Sequence, residues 1–184
     1  MTAKPRVLIT GGSGLVGGLV IEHLSDKYEF SNLSRRPVEG VPSTEASIGD
    51  LDAIRPAFND VDMVLHLAAF TESSSDWDGQ LDITMKGTVN VFRAAQEAGV
   101  WRVVNMSTGS TMCAWEWYEG SPHGALANGD YDSVEKPWPL IDYTDPVRPD
   151  SIYGAAKAFT EARRSLVLGQ TWHVDAQYPT WRRP

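Results

Sequence analysis

The stretch Thr10-Gly11-Gly12-Ser13-Gly14-Leu15-Val16-Gly17 constrains this chain more than any other. It follows an apolar run, Val7-Leu8-Ile9, that reads as a short buried strand, and it leads into Leu15 to Leu24, which reads as a helix. Strand, glycine turn and helix in that order open a dinucleotide-binding unit. The glycines let the chain turn tightly and let a pyrophosphate reach bare backbone, while the free amides at the helix start face its charge. Gly17 is expected to let helix and sheet pack closely.

The elements that follow extend this unit. Tyr28 to Ser34 reads as a second strand. At its end an acid would bind a ribose 2′-hydroxyl and an arginine would accommodate a 2′-phosphate. Ser34-Arg35-Arg36 stands there, with no acid from Phe30 to Val38, so NADP is favoured and NAD remains possible. The alternative is that both arginines point into solvent. Glu45 to Ile48 is expected as a short third strand, followed by a helix through Phe58 that Asp50 could cap. Val61 to Ala69 is the clearest later strand, apolar as in a parallel strand buried on both faces. His66 lies within it, which fits a structural role better than a catalytic one. Thr71 to Gly79 reads as a loop, and Gln80 to about Ala98 as a long helix stopped by Gly99. Trp101 to Thr108 is the next strand and ends in hydroxyls at Ser107 and Thr108, on the side where open parallel sheets bind ligands.

Residues 112 to 150 are irregular, with Trp115, Trp117, Tyr118, Trp138 and five prolines. Such a long connection is a functional loop or one folded over its own aromatic cluster. A helix then opens at Ser151. Tyr153 and Lys157, four apart, share one face of it. An ammonium beside a phenol is expected to lower its pKa and suit it to proton transfer.

Composition excludes several classes. The chain has 184 residues, 42% of them hydrophobic, and a formal net charge of −8. Arg35-Arg36, Arg163-Arg164 and Arg182-Arg183 are the dense basic pieces, too few for a nucleic-acid surface. Cys113 is the single cysteine, and the four histidines show no ligand spacing, so neither a disulfide framework nor a metal site is expected. No apolar run is long enough for a membrane span and the N-terminus has no secretory pattern, so a cytoplasmic protein is expected.

Taken together, the glycine turn, Gly49-Asp50-Leu51, Leu65-His66-Leu67-Ala68-Ala69, Gly87-Thr88-Val89-Asn90-Val91, Ser107-Thr108 and Tyr153-Gly154-Ala155-Ala156-Lys157 resemble the extended short-chain dehydrogenase/reductases, the NAD(P)-dependent epimerase/dehydratase group. The resemblance implies that Gly11, Gly14 and Gly17 contact the pyrophosphate, that Asp50 and Leu51 hold the adenine, that Ala68 and Ala69 lie along the cofactor, and that Ser13, Leu15, Val16 and Leu67 also bind it. It implies Tyr153 as general acid/base, Lys157 on the nicotinamide ribose, and Thr108 on the reacting oxygen. The stretch Tyr143 to Glu161 resembles sugar-acting members, so a small sugar-like substrate is expected. Thr84 departs from the asparagine usual in the long helix and is expected to keep one hydrogen bond but not an amide pair.

The expectation is therefore an α/β fold: one doubly wound, mostly parallel Rossmann-type NAD(P)-binding domain over residues 1–184. The resemblance further implies a strand and a substrate-binding portion after Leu168. Thr171 to Tyr178 is a poor strand, so that portion is expected to be largely missing and 169–184 to be an atypical tail. Two functions are carried forward: an NAD(P)-dependent oxidoreductase or epimerase acting on a sugar-like hydroxyl, and a non-catalytic nucleotide-binding module or truncated remnant. Uncovered sheet and helix surface would also favour a homodimer.

Overall fold

Strand β1 (Arg6–Thr10) runs down the middle of the sheet because its side chains suit burial on both faces. Val7 and Ile9 point to one side and Leu8 to the other, and all three are buried. In this computed structural model residues 3–171 are described, with side chains through 162. Helix α1 (Leu15–Leu24) follows the glycine turn, then β2 (Glu29–Ser34) and β3 (Ser43–Glu45). Helix α2 (Leu51–Ile54) passes into a 3₁₀ turn at Arg55–Phe58. Pro56 has no amide to continue an α-helix, which accounts for the change.

Strand β4 (Met63–His66) precedes one long helical stretch: α3 (Trp77–Gly79), a π-helical segment Gln80–Lys86, and α4 (Gly87–Glu97). Strand β5 (Arg102–Asn105), short 3₁₀ turns, α5 (Pro122–Ala127) and α6 (Ile152–Thr171) complete the described chain. The sheet order is β3-β2-β1-β4-β5, and each pairing between these strands is parallel.

The two faces carry separate cores. Val7, Ile9 and Phe30 pack under Val20, Ile21 and Leu24 of α1. Leu8, Leu33 and Val64 pack on the other face with Ile54, Phe58, Val91 and Ala95. This is the doubly wound arrangement expected from the sequence.

Boundaries moved in four places. The third strand is Ser43–Glu45, not 45–48, because it pairs with Asn32–Ser34 and the chain then leaves the sheet. The long helix starts at Trp77, inside the expected loop, because the Asp76 side chain accepts the Gly79 amide at 2.9 Å. Strands β4 and β5 end before Ala69 and Thr108, although Leu67 N–H on Thr10 O (3.1 Å) and Met106 N–H on His66 O (3.0 Å) hold their tails side by side. The irregular region contains α5, which Ser121 caps by accepting the Gly124 amide. The weak strand and tail expected beyond Thr171 lie outside the described residues.

Phe58 is fully buried where the 3₁₀ turn meets the second core. Phe58→Ala is expected to lower unfolding free energy by about 3–5 kcal/mol, read from urea denaturation followed by circular dichroism.

Candidate active site

The glycine turn forms a cradle because side chains do not fit there. Gly11 has φ +76°, and a Cβ on it would sit 3.0 Å from Ala68 N. A Cβ on Gly17 would meet Gly12 Cα at 2.6 Å and the Gly11 carbonyl at 2.8 Å, so α1 lies directly on the turn. Gly14 is the N-cap of α1 with no side chain over the helix start. Leu15 is 81% exposed at this mouth, and Val16 beside it is also exposed.

A cleft of about 330 Å³ runs from this cradle along the carboxyl ends of the strands. Gly11, Ser13, Gly14, Leu15, Val16 and Gly17 line one wall; Arg35 and Arg36 stand at one end; Leu67, Ala68 and Ala69 form another side. Ala46, Ser47 and Ile48, the residues that left the sheet after β3, also line it. Asp50 and Leu51 do not. The Asp50 carboxylate accepts the Asp52 and Ala53 amides, each at 3.1 Å, and so caps α2, while Leu51 packs on the core.

Two buried polar groups shape the cleft. Asn32, buried within β2, accepts the Gly12 amide on Oδ1 (3.1 Å). Its Nδ2 donates to Ser43 Oγ (3.1 Å) and the Arg36 carbonyl (3.4 Å). One amide thus ties the glycine turn to the arginine-bearing segment.

The second group is His66, which is fully buried. The Thr88 hydroxyl donates to the Thr84 carbonyl (2.6 Å), so His66 Nε2–H donates to Thr88 Oγ1 (2.9 Å). His66 Nδ1 is then the acceptor for the Thr10 hydroxyl (2.6 Å), and Thr10 Oγ1 accepts the Ala68 amide (3.2 Å). Burial first, and the positive Lys157 second, push the His66 pKa down to about 3 and keep the ring neutral. Thr84 accepts the Phe70 amide (3.0 Å) and donates to Gln80 Oε1 (2.7 Å), one bond more than expected. Gln80 Nε2 in turn donates to the Phe70 and Ser73 carbonyls. The structural reading of His66 is the one the geometry gives: its chain of bonds fixes the backbone that forms the cleft floor.

Thr108, Tyr153 and Lys157 come together beyond β5, on the same carboxyl rim, outside the lining of the cleft itself. The Thr108 side chain stands close enough to the Tyr153 phenol to favour its ionised form, and Tyr153 N–H donates to the Ser74 carbonyl (3.0 Å) on the loop that follows the cleft wall. Lys157 Nζ donates to the Met106 carbonyl (2.8 Å) and lies 6.0 Å from the Tyr153 ring centre. Burial lowers the Lys157 pKa to about 8, with Glu161 pulling it back. The expected lowering of the phenol is not what the geometry yields. Burial raises the Tyr153 pKa, and only the neighbouring Thr108 opposes it. Ser107 faces elsewhere, donating to Glu161.

Four of the aromatic side chains of 112–150 pack in two groups, while Trp117 and Tyr143 are exposed. Trp115 lies 6.2 Å from Tyr118 and 5.8 Å from His123, with the Arg148 guanidinium 4.0 Å from both the Trp115 and Tyr118 ring centres. Tyr131 stacks on Trp138. Trp115, Tyr118, Tyr131 and Trp138 thus follow the self-packed alternative, and none of them lines the cleft. Sequence reasoning missed Asn32, Gln80 and Thr88; a polar residue inside an otherwise buried element was the available signal. Among the described residues no group of His, Cys, Asp and Glu could hold a metal, and no helix is long and apolar enough to cross a membrane.

The model of the NAD dependent epimerase/dehydratase family matches residues 7–163. The L-arabinose 1-dehydrogenase (NAD(P)(+)) of Haloferax volcanii is 33% identical over 157 residues, 85% of this chain and 59% of that protein. A mutated uronate dehydrogenase superposes with a TM-score of 0.72 at 24% identity, over 91% of this chain and 55% of its own, a likeness of fold alone. The Bordetella bronchiseptica enzyme WbmG in complex with NAD gives a TM-score of 0.67 at 27% identity, over 87% of this chain and 49% of its own. The chain thus spans between 49% and 59% of the length of these three proteins.

His66 makes stability pH-dependent with a definite sign. Its folded pKa lies below its ordinary 6.5, so its contribution is complete above that value and is lost as pH falls toward 3. Between pH 6.5 and about pH 5, the parent protein is expected to lose about 1–2 kcal/mol more than His66→Gln, by urea denaturation at each pH. Equal losses in the two proteins would remove His66 as the cause.

Proposed function

This chain belongs to the NAD dependent epimerase/dehydratase family, and from that premise we propose that it binds a nicotinamide dinucleotide in the cleft and serves hydride transfer at a sugar-like hydroxyl carbon. The observation that carries this reading is one rim shared by a side-chain-free helix start and a phenol beside Thr108, one helical turn before a lysine.

The residues present fit a dinucleotide. The turn around Gly11, Gly14 and Gly17 leaves room where any Cβ would collide, and the α1 start offers free amides to a pyrophosphate. Ser13, Leu15 and Val16 would close over it, which gives the exposed Leu15 something to cover. Arg35 and Arg36 would hold a 2′-phosphate, so NADP is the preferred cofactor and NAD a second one; the arabinose relative is named for both. Ser47 and Ile48 would bound the adenine end in place of Asp50 and Leu51. Leu67, Ala68 and Ala69 would flank the middle of the cofactor, on backbone that Thr10 and His66 hold still.

When bound, the nicotinamide supplies the hydride donor or acceptor and, if oxidised, a positive charge. Tyr153 is the acid or base. Its raised pKa keeps the phenol protonated, ready to donate to a carbonyl oxygen in reduction. In oxidation Tyr153 takes the hydroxyl proton, and the tyrosinate needs nearby positive charge, part of which Lys157 provides. Thr108 orients the reacting oxygen beside the phenol.

Tyr153→Phe is expected to lower turnover by about 10²–10⁴-fold while leaving the cofactor Kd within about twofold. Cofactor fluorescence would measure binding, and cofactor absorbance would follow turnover on a panel of aldoses, uronates and nucleotide sugars. No binding of either cofactor at millimolar concentration would sink the reading. Tight binding with no turnover on the panel would favour a nucleotide-binding module instead.

A further inference from the structure

Two loops meet over the carboxyl end of β1. The one after β2 carries Arg35, and the one after β4 carries Thr71, which lines the cleft, and then Glu72. Because β2 and β4 flank β1 on opposite sides, a contact between these loops crosses the line of the cleft. Such a contact exists: Arg35 Nη2 donates to Glu72 Oε1 at 3.4 Å, with the two side chains 72% and 66% exposed.

This ion pair is long, single-pronged and wet. Exposed pairs of that kind are weak and screened by salt. A phosphate monoester offers several strong acceptor oxygens and a charge beyond −1, and a guanidinium can take two of its oxygens at once. The segment bearing Arg35 is also held from below. Asn32 Nδ2 and Ser34 Oγ both bond the Arg36 carbonyl, at 3.4 Å and 2.6 Å, so the arginines start from a fixed backbone rather than a free loop.

We propose that Glu72 sets cofactor choice by competing with a 2′-phosphate for Arg35. The inference rests on the preceding reading that the ribose end of the dinucleotide lies at Arg35 and Arg36. With a 2′-phosphate present, Arg35 leaves Glu72, and the freed carboxylate remains nearby as a like charge that opposes the phosphate. With a plain 2′-hydroxyl the ion pair stays intact. Glu72 therefore narrows the preference for NADP and leaves NAD binding untouched. Nothing in the sequence near Glu72 marks it for this role, because 37 residues separate it from Arg35.

The test is a cycle of Glu72→Gln, Arg35→Ala and the double variant, titrated with NADP⁺ and with NAD⁺ by calorimetry at low and at physiological salt. Both substituted side chains are exposed, and circular dichroism checks the fold. Glu72→Gln is expected to tighten NADP⁺ by about two- to fivefold, more at low salt, and to leave NAD⁺ unchanged. The gain should vanish in the Arg35→Ala background. Equal tightening of both cofactors would overturn the proposal, since the pair would then be a barrier to any dinucleotide. No change with Glu72→Gln, while Arg35→Ala weakens NADP⁺, would overturn it and leave the cofactor reading standing. Arg35→Ala without effect on NADP⁺, or a parent protein that binds neither cofactor, would overturn both.

Discussion

Everything at the rim of this sheet depends on how closely α1 approaches the turn after β1. The distance is set by the absence of a side chain on Gly17, since a Cβ there would overlap Gly12 Cα and the Gly11 carbonyl. That approach brings the start of α1 over the carboxyl end of the central strand and points its unpaired amides along the cleft. A methyl group would push the helix outward, and every distance from cradle to floor would change with it. A site whose affinity comes from backbone amides has no flexible side chains to absorb such a shift.

The floor is held by a different kind of interaction. Ala68, Thr10, His66, Thr88 and Thr84 pass hydrogen bonds from the end of β4 through β1 into the helical layer. Burial makes each bond in this chain costly to leave unmade, so the ring is neutral and its tautomer is dictated by its neighbours. Asn32 does the equivalent work at the other end, joining the glycine turn to the segment that presents Arg35 and Arg36. The cleft is thus framed by two buried polar side chains that touch it only through backbone.

Much of this was legible from residues alone. The alternation of Val7, Leu8 and Ile9 between two faces, and the run around Val64, required a sheet covered on both sides. The cradle followed from glycine spacing, and the placement of Tyr153 and Lys157 on one helix face from their separation. Other features escaped because local pattern does not encode them. Asp50 could be read as a cap from sequence, and the two amides it accepts show that it is one. Trp115 and Tyr118 of the long loop looked equally suited to a pocket, but they pack on each other around Arg148. The phenol's pKa was expected to fall beside an ammonium. It rises because burial of the phenol outweighs the opposing influence of Thr108.

The amino-acid order by itself determined the parallel two-faced sheet and the glycine cradle at the start of α1. Each of these is written in short-range spacing: periods of two and near four, and residues that lack a Cβ. Which groups oppose one another across the cleft, the protonation state of His66 and the contact of Arg35 with Glu72 were decided only by the tertiary structure. The physical reason is that electrostatics and hydrogen bonding depend on separations of a few ångströms and on burial. Neither is a function of distance along the chain until the sheet has brought β2, β1 and β4 side by side.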